Sequence, residues 1–400
     1  MTTTRKLSEL PEASHPFSGT ESIPLVQDGE TRQVALANLL GESAIATWLA
    51  PYRVSSEADP SENRAAINQA ILDAVEQTRP PVLLLPPGRI PLDGPIILRR
   101  GIRINGASSA DLPIGTELFL ADGVNGAVVQ TEGWPTGERT WDCAELAYLR
   151  INGNRAGNPE GGPGIAIRHM GSSAEIRQVV VRNCDGFGIE LSGIQEPASL
   201  RACTLEDNGA GGLKLAGEGL VVIHGLSARG AGPLVLVTGE GALSVVLTGA
   251  ASSGHQPVVE IREGQPQVSL IAGRVTAPSS GGGSVVEIAK GRPGVHFVGL
   301  HHAGFGRLVR DGNGEAGLDA IGGASGVAVY NTTVRAAGGT GRVLGLGVSG
   351  GENRREPVII AGMGMPADDP ALPNGSLYLR GDGGEGSTFY VREDGRWTAK

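Results

Sequence analysis

The sequence predicts an all-β chain: a right-handed, single-stranded parallel β-helix closed at its N-terminal end by a capping helix, with a small module before it and a β-rich segment after it. Two observations carry this. A short apolar phrase flanked by glycine recurs, as FGIELSG at 187–193, GGLKLAG at 211–217, then GPLVLVTG, QPVVEIREG and SVVEIAKG. Glycine is also abundant, at 64 of 400 residues, while aromatic residues make up only 4%, so much of the chain must turn.

The repeat is the primary signal. Taking one apolar residue per phrase as a marker, Ile165, Ile189, Leu213, Leu234, Val258, Val285 and Leu308 are separated by 24, 24, 21, 24, 27 and 23 residues. A second strand-like run lies between each pair of markers, for example EIRQVVVRN, SLRACTLED and ALSVVLTGA. These runs alternate apolar and other residues over a few positions, and no 3.6-residue stripe survives the glycines. A leucine-rich repeat would require L-x-x-L-x-L-x-x-N, which is not present, and a β-sandwich rarely keeps so regular an interval. A unit of this length with two or three strands matches one coil of a parallel β-helix, whose coils stack at about 4.8 Å. Each coil must supply inward apolar side chains at the same place, which is why the phrase recurs. Glycine supplies the corners.

An open solenoid end needs a cover. DPSENRAAINQAILDAVEQ offers Asp59 as N-cap, Pro60 at the first helical position, Glu62 in the first turn, and Ala66, Ile67, Ala70, Ile71, Ala74 and Val75 on one face, so 60–77 is the expected capping helix. The first coils then begin at Val82. The expected boundaries are a module at 1–41, a linker with a short helix at 42–57, the capped β-helix at 58–325 and a β-rich domain at 326–400.

Composition excludes several functions. A net charge of -9 with no basic run argues against a nucleic-acid partner. No apolar stretch approaches a membrane span and no secretory leader follows the Met, so a chain made and kept soluble in the cytosol is expected, without membrane insertion. Cys143, Cys184 and Cys203 have neither disulfide nor zinc spacing and read as buried thiols. DGNGE at 311–315 lacks the glycine and glutamate that an EF-hand needs at its sixth and twelfth positions, and His301 and His302 have no carboxylate motif beside them, so neither metal nor cofactor is expected.

Alternation places Glu190, Lys214, Val235, Glu260 and Glu287 outward on one sheet. Glu190 and Lys214 form an expected ion pair. Glu260 and Glu287 fall in adjacent coils, and two carboxylates about 5 Å apart have the geometry of a retaining glycosidase, so they are the catalytic candidates; solvated surface charge is the competing reading. Trp134, Trp141 and Tyr148 are candidates for stacking on sugars. Asp185, Glu206 and Asp207 sit at coil corners, where such residues serve turns. Small outward residues, Ala166 and Val235, suggest a face for association, and the hairpin around Leu377, Leu379, Phe389 and Val391 is too sparse to fold alone.

The succession DPSENRAAINQAI, LLLPPGRI, PIIL and GIRING resembles the opening of pectate-lyase-like β-helix proteins, a superfamily that includes many bacteriophage tailspikes. Residues 5–40 resemble the short module that begins many phage tail and fibre proteins, and PNGSLYLRGDGGEGSTFYVREDGRW at 373–397 is similar to the ends of phage structural proteins. The resemblance implies a virion spike or fibre, made in the bacterial cytoplasm and carried on the particle. It implies a homotrimer that docks on tail or capsid proteins through residues 1–41 and meets host-surface polysaccharide with its β-helix. It does not carry over the calcium-binding aspartates and basic residue of pectate lyases. Attachment to glycan is therefore the expected function, with a polysaccharide depolymerase, or a spike or baseplate part without ligand, as alternatives.

Overall fold

A computed structural model describes residues 22–27, 30–35, 46–48, 52–77, most of 82–277, 283–290, 293–298 and 300–311 with gaps, strands between 326 and 362, 365–366, 374–380, 383 and 389–400. Within 82–277 the exceptions are 113, 137–140, 142–143 and 173. Cys143, most of DGNGE and the side chains of His301 and His302 lie outside the described residues.

The chain is a parallel β-solenoid. Among the described residues, nine successive coils each give a strand to three sheets: 82–98, 103–131, 145–168, 175–194, 198–217, 220–238, 244–261, 267–288 and 294–311. The third sheet holds nine strands. Every strand pairs in parallel with its equivalent in the next coil, so identical side-chain directions stack into columns. In the first sheet the inward column runs Leu83, Ile104, Leu146, Ile176, Leu200, Ile223, Leu247, Leu270 and Phe297. All of these are buried. At roughly 1.5 to 3 kcal/mol per buried aliphatic side chain before entropy is subtracted, such columns are the main stabilising term.

The third sheet corrects one step of the register. Ile165, Ile189 and Leu213 stack with Val235, Val259 and Val286, not with the neighbouring Leu234, Val258 and Val285. Val235 therefore faces inward and is fully buried, and Leu236 takes the outward position beside Lys214. Ala166 does occupy the outward column, opposite Glu190, yet is also covered. The cause is a corner column. Gly164, Gly188 and Gly212 precede the inward residue in the earlier coils, because a Cβ there would approach Val181 or Leu205 of the second sheet within 2.3 to 3.2 Å. Where the second sheet shrinks to Ala228 and Ser252, the corner grows to Leu234 and Val258, and three apolar residues run together.

The capping helix spans Pro60–Val75, with Asp59 accepting a hydrogen bond from the Ser61 amide. Ile67, Ala70, Ile71 and Ala74 cover the first coil, and Ala66 and Val75 pack at its edge. Two asparagines finish the closure. Asn63 donates to Ser55 and Pro91 carbonyls, and Asn68 accepts from the Ile97 amide and donates to the Pro95 carbonyl. They satisfy backbone groups that a preceding coil would otherwise pair.

At the start, Ser22–Gln27 and Glu30–Ala35 form an antiparallel hairpin, and Ala46–Trp48, in the stretch expected to be a linker, adds in parallel to Val82–Leu84. At the far end, Gly326–Tyr330 continues the parallel stacking before Gly339–Ser349 returns antiparallel. Leu377–Arg380, Phe389–Glu393 and Arg396–Ala399 form a three-stranded antiparallel sheet. One face carries Tyr378, Tyr390 and Arg392, all buried; the other carries Leu377, Leu379, Phe389 and Val391, which are partly open, Leu379 by 38%.

Candidate functional site

The corner between the second and third sheets is built by chain segments that must reverse within a few residues. Asn154, Asn183 and Asp207 take the left-handed conformation there, with φ between 50° and 52°, which Asn and Asp tolerate better than other non-glycine residues. Behind them Asn208, buried, accepts from the Cys184 amide at 3.1 Å and donates to the Val181 carbonyl at 3.1 Å, so its side chain ties one coil to the next. His255 holds the equivalent inner place two coils on, its Nδ1 3.2 Å from the Gly232 carbonyl oxygen. Burial pushes the His255 imidazole below its ordinary pKa, which fits a neutral ring donating through Nδ1.

On this frame lies a groove of about 370 Å³, lined by Arg155, Asp207, Asn208, Arg229, Gly230, Ala231, Ser253 and Gly254. Arg229 Nη2 meets Asp207 Oδ2 at 3.0 Å, and Arg155 Nε lies 3.4 Å from Asp185 Oδ1. Gly209 matters to this arrangement: a Cβ there would sit 3.0 Å from the Arg155 guanidinium carbon and 2.4 Å from the Asp185 carbonyl oxygen. The groove thus presents guanidinium donors, carboxylate acceptors and a hydroxyl along a line of coils about 4.8 Å apart. That suits an elongated ligand with many hydroxyl groups, because vicinal hydroxyls match the paired donors and acceptors of planar side chains.

The outward ladder of the third sheet holds Glu190, Lys214, Leu236, Glu260 and Glu287 in register. Lys214 Nζ and Glu190 Oε1 are 2.6 Å apart, the expected ion pair. Glu260 and Glu287 are direct neighbours, and Glu260 accepts from Arg262 Nε at 2.8 Å.

The three aromatic candidates occupy separate places. Trp134 is half-buried in the turn after the second coil. Trp141 bridges to Met170 and is 1% exposed, part of the core. Tyr148, with φ of 57°, lies under the Arg177 guanidinium at 4.4 Å from the ring centroid and hydrogen-bonds it through its hydroxyl.

Two features escaped the sequence. Arg155, Arg229 and Ser253 lie far apart along the chain, and only the stacking of corners at 154, 183, 207, 230 and 254 brings them together. The second is a charged cluster on the outer face of the second sheet. Glu117, fully buried, receives Arg89 Nε at 2.7 Å, Arg182 Nη2 at 2.5 Å and Asn152 Nδ2 at 3.2 Å. Burial opposes its ionisation, but the bonds from Arg182, Asn152 and Arg89 outweigh it and hold the carboxyl below the usual range. Beside it Arg150 Nη1 pairs with Asp111 at 2.5 Å. Burial pushes the Cys184 thiol up to about 12 and that of Cys203 up to about 11, in keeping with inert buried thiols.

The fold and site together define a capped parallel β-solenoid with a polar corner groove. No protein-family model and no curated protein matches the chain. Solved structures do. An Azotobacter vinelandii mannuronan C-5 epimerase A-module matches at TM-score 0.38 and 14% identity, over 66% of this chain and 97% of that one. The enzymatically active domain of tailspike protein 2 from bacteriophage CBA120 matches at TM-score 0.46 and 10% identity, over 79% of this chain and 50% of that one. A tailspike protein of E. coli bacteriophage HK620 matches at TM-score 0.41 and 12% identity, over 79% and 69%.

Proposed function

We propose that the chain is a virion spike or fibre protein that attaches a bacteriophage particle to host-surface polysaccharide, with the glycan lying in the corner groove. The observation that carries this reading is the groove itself, where Arg155, Asp207, Arg229 and Ser253 from several coils meet along one line. The resemblance of residues 5–40 and 373–397 to phage structural proteins supports the virion context and a docking role for residues 1–41. A homotrimer is part of the proposal. Its support is the uncharged outer face of the first sheet in coils six to nine, where Val222 and Val298 are each 36% exposed, together with the partly open face of Leu377, Leu379, Phe389 and Val391. A second copy of the chain is the occupant proposed for both.

A depolymerase is the second reading, favoured by the register of Glu260 beside Glu287. Host capsule or lipopolysaccharide, immobilised and exposed to the purified protein, tests both. Attachment predicts retention that Arg229→Ala and Asp207→Ala abolish, without new reducing ends or unsaturated products. Release of such products, stopped by Glu260→Gln or Glu287→Gln, would replace attachment by cleavage. Retention unchanged in both groove variants would remove the groove from the reading.

A further inference from the structure

Both guanidinium groups of the corner groove already hold a carboxylate. Arg229 Nη2 lies 3.0 Å from Asp207 Oδ2, and Arg155 Nε lies 3.4 Å from Asp185 Oδ1. More acid stands on either side. Asp122, one coil before Arg155, accepts from Asn154 Nδ2 at 2.7 Å, and Glu206 stacks in register beside Arg229. Arg182, the next guanidinium in that outward column, is bound to the buried Glu117 at 2.5 Å. Arg155 and Arg229 are therefore outnumbered by Asp122, Asp185, Glu206 and Asp207. The His255 imidazole behind them adds no charge at neutral pH, because burial holds it below its ordinary pKa. The chain as a whole carries -9.

These pairs are open to a ligand. The side chains of Arg229 and Asp207 are 65% and 52% exposed, and those of Arg155 and Asp185 are 53% and 31% exposed. A guanidinium has five N–H donors and an ionised carboxylate about four acceptor sites, so each pair keeps most of its hydrogen-bonding capacity. A hydroxyl donates and accepts, and can bridge such a pair without breaking it. A carboxylate can only accept. To reach either guanidinium it must displace Asp207 or Asp185 and then lie beside the charge it displaced, where like charges repel. Beside the pairs, Gly230, Ala231 and Gly254 offer a floor of backbone and small groups, and no aromatic ring lines the groove among the described residues, so hydroxyl contacts must orient the ligand. We propose that the groove selects neutral polysaccharide, whose rings carry hydroxyls and no carboxylate, and discriminates against acidic polymers. The assignment rests on the corner groove being the glycan site.

An array of bacterial capsules and O-antigens tests the selection with the full chain, each polymer immobilised native and again after carbodiimide-activated reduction of its carboxylates to primary alcohols. Reduction turns each uronic acid into the neutral sugar of the same linkage, so charge alone differs. Polymers retained by wild type are expected to be neutral as isolated, or to gain at least tenfold in retention when reduced. Added salt should change that retention less than twofold, because an uncharged ligand makes no ion pair for salt to screen. Asp207→Asn removes one charge but keeps an acceptor oxygen and the left-handed turn, which Asn tolerates. It should raise retention of the native acidic polymers several-fold and make it salt-sensitive, while Arg229→Ala should abolish retention of the neutral ones. Native acidic polymers held as well as their reduced forms, yet released by Arg229→Ala, would overturn the neutral assignment and leave the groove as the glycan site. An unchanged preference in Asp207→Asn would overturn the assignment in the same way. Neutral polymers held equally by wild type and Arg229→Ala, or no polymer held at all, would overturn the groove reading and this assignment with it.

Discussion

In the second and third coils the outward column of the second sheet holds Glu117 and Arg150; in the sixth and seventh the same column holds Ser227 and Ala251. The first sheet changes in the same direction. Glu145, Glu175, Arg177 and Arg201 link coils three to five through ion pairs, Arg177 Nε to Glu145 at 2.6 Å and Arg201 Nη1 to Glu175 at 3.4 Å, whereas Val222, Val246, Ser269 and His296 follow in coils six to nine. The inward columns remain apolar nearly throughout. Folding is thus served by the same interior in both halves, and the exterior is free to differ. The earlier coils clamp neighbour to neighbour with charge. In the later coils it is the first sheet alone whose outer face carries no carboxylate, lysine or arginine, and that face suits packing against another copy.

The largest expected effect breaks the clamp. Glu117→Ala leaves Arg182 and Asn152 facing a void without their acceptor, and losing one partner of a buried ion pair should cost about 3 kcal/mol. Removing the exposed partner in the later half, Arg262→Ala, should cost under about 1 kcal/mol. Urea midpoints measured side by side check the contrast. Equal losses would mean that the two halves are held alike.

Next comes the core trade between corner and sheet. Ala228→Leu places a large side chain where Leu234 already fills the space, and overpacking should cost about 1 to 3 kcal/mol. Adding Leu234→Ala should return a large part of that loss, giving a favourable coupling of about 1 kcal/mol in a double-mutant cycle. Independent, additive effects would break the account of the corner column.

The same trade decides what the sequence made legible. The parallel coils, the capping helix and the Glu190 to Lys214 pair follow from alternation, spacing and helix signals, and the structure has them. The phase slips at one point because periodicity cannot tell an inward strand residue from an inward corner residue when Gly212 gives way to Leu234. Asn63 and Asn68 were invisible as closure because their role depends on backbone groups far along the chain. The groove is half legible: the sequence marks Asp185 and Asp207 as corner residues, but Arg155 and Arg229 gain meaning only through stacking. Glu117 reads as one charge in TELFL, and nothing local announces three donors from other coils.

Acidification sharpens the comparison at smaller cost. The Glu117 carboxyl is held below its unfolded value, which for glutamate is about 4.3. A group depressed in the folded state contributes stability above the unfolded value and loses it as pH falls through the folded one. Wild-type stability should therefore fall in the acid range below that value more steeply than that of Glu117→Gln, whose side chain does not titrate. Parallel curves of urea midpoint against pH would remove Glu117 as a source of acid sensitivity.

The smallest effect on folding falls on the face where the effect on assembly should be greatest. Val222 already meets solvent over 36% of its surface, and its neighbours in the column, Ser199 and Val246, leave room for a longer side chain to extend outward. Val222→Lys should thus change the urea midpoint of a lone chain by no more than about 0.5 kcal/mol equivalent. Its consequence lies in association, because an uncharged strand face packed against a second copy has no place for an unpaired ammonium group. If coils six to nine form that contact, sedimentation of the variant should give the mass of one chain, 41.0 kDa, where wild type gives about three times as much. Arg201→Ala on the charged half of the same sheet is the control, and should leave the mass unchanged. A trimer that survives Val222→Lys but dissociates with Arg201→Ala would assign the contact to the clamped coils and reverse the roles of the two halves.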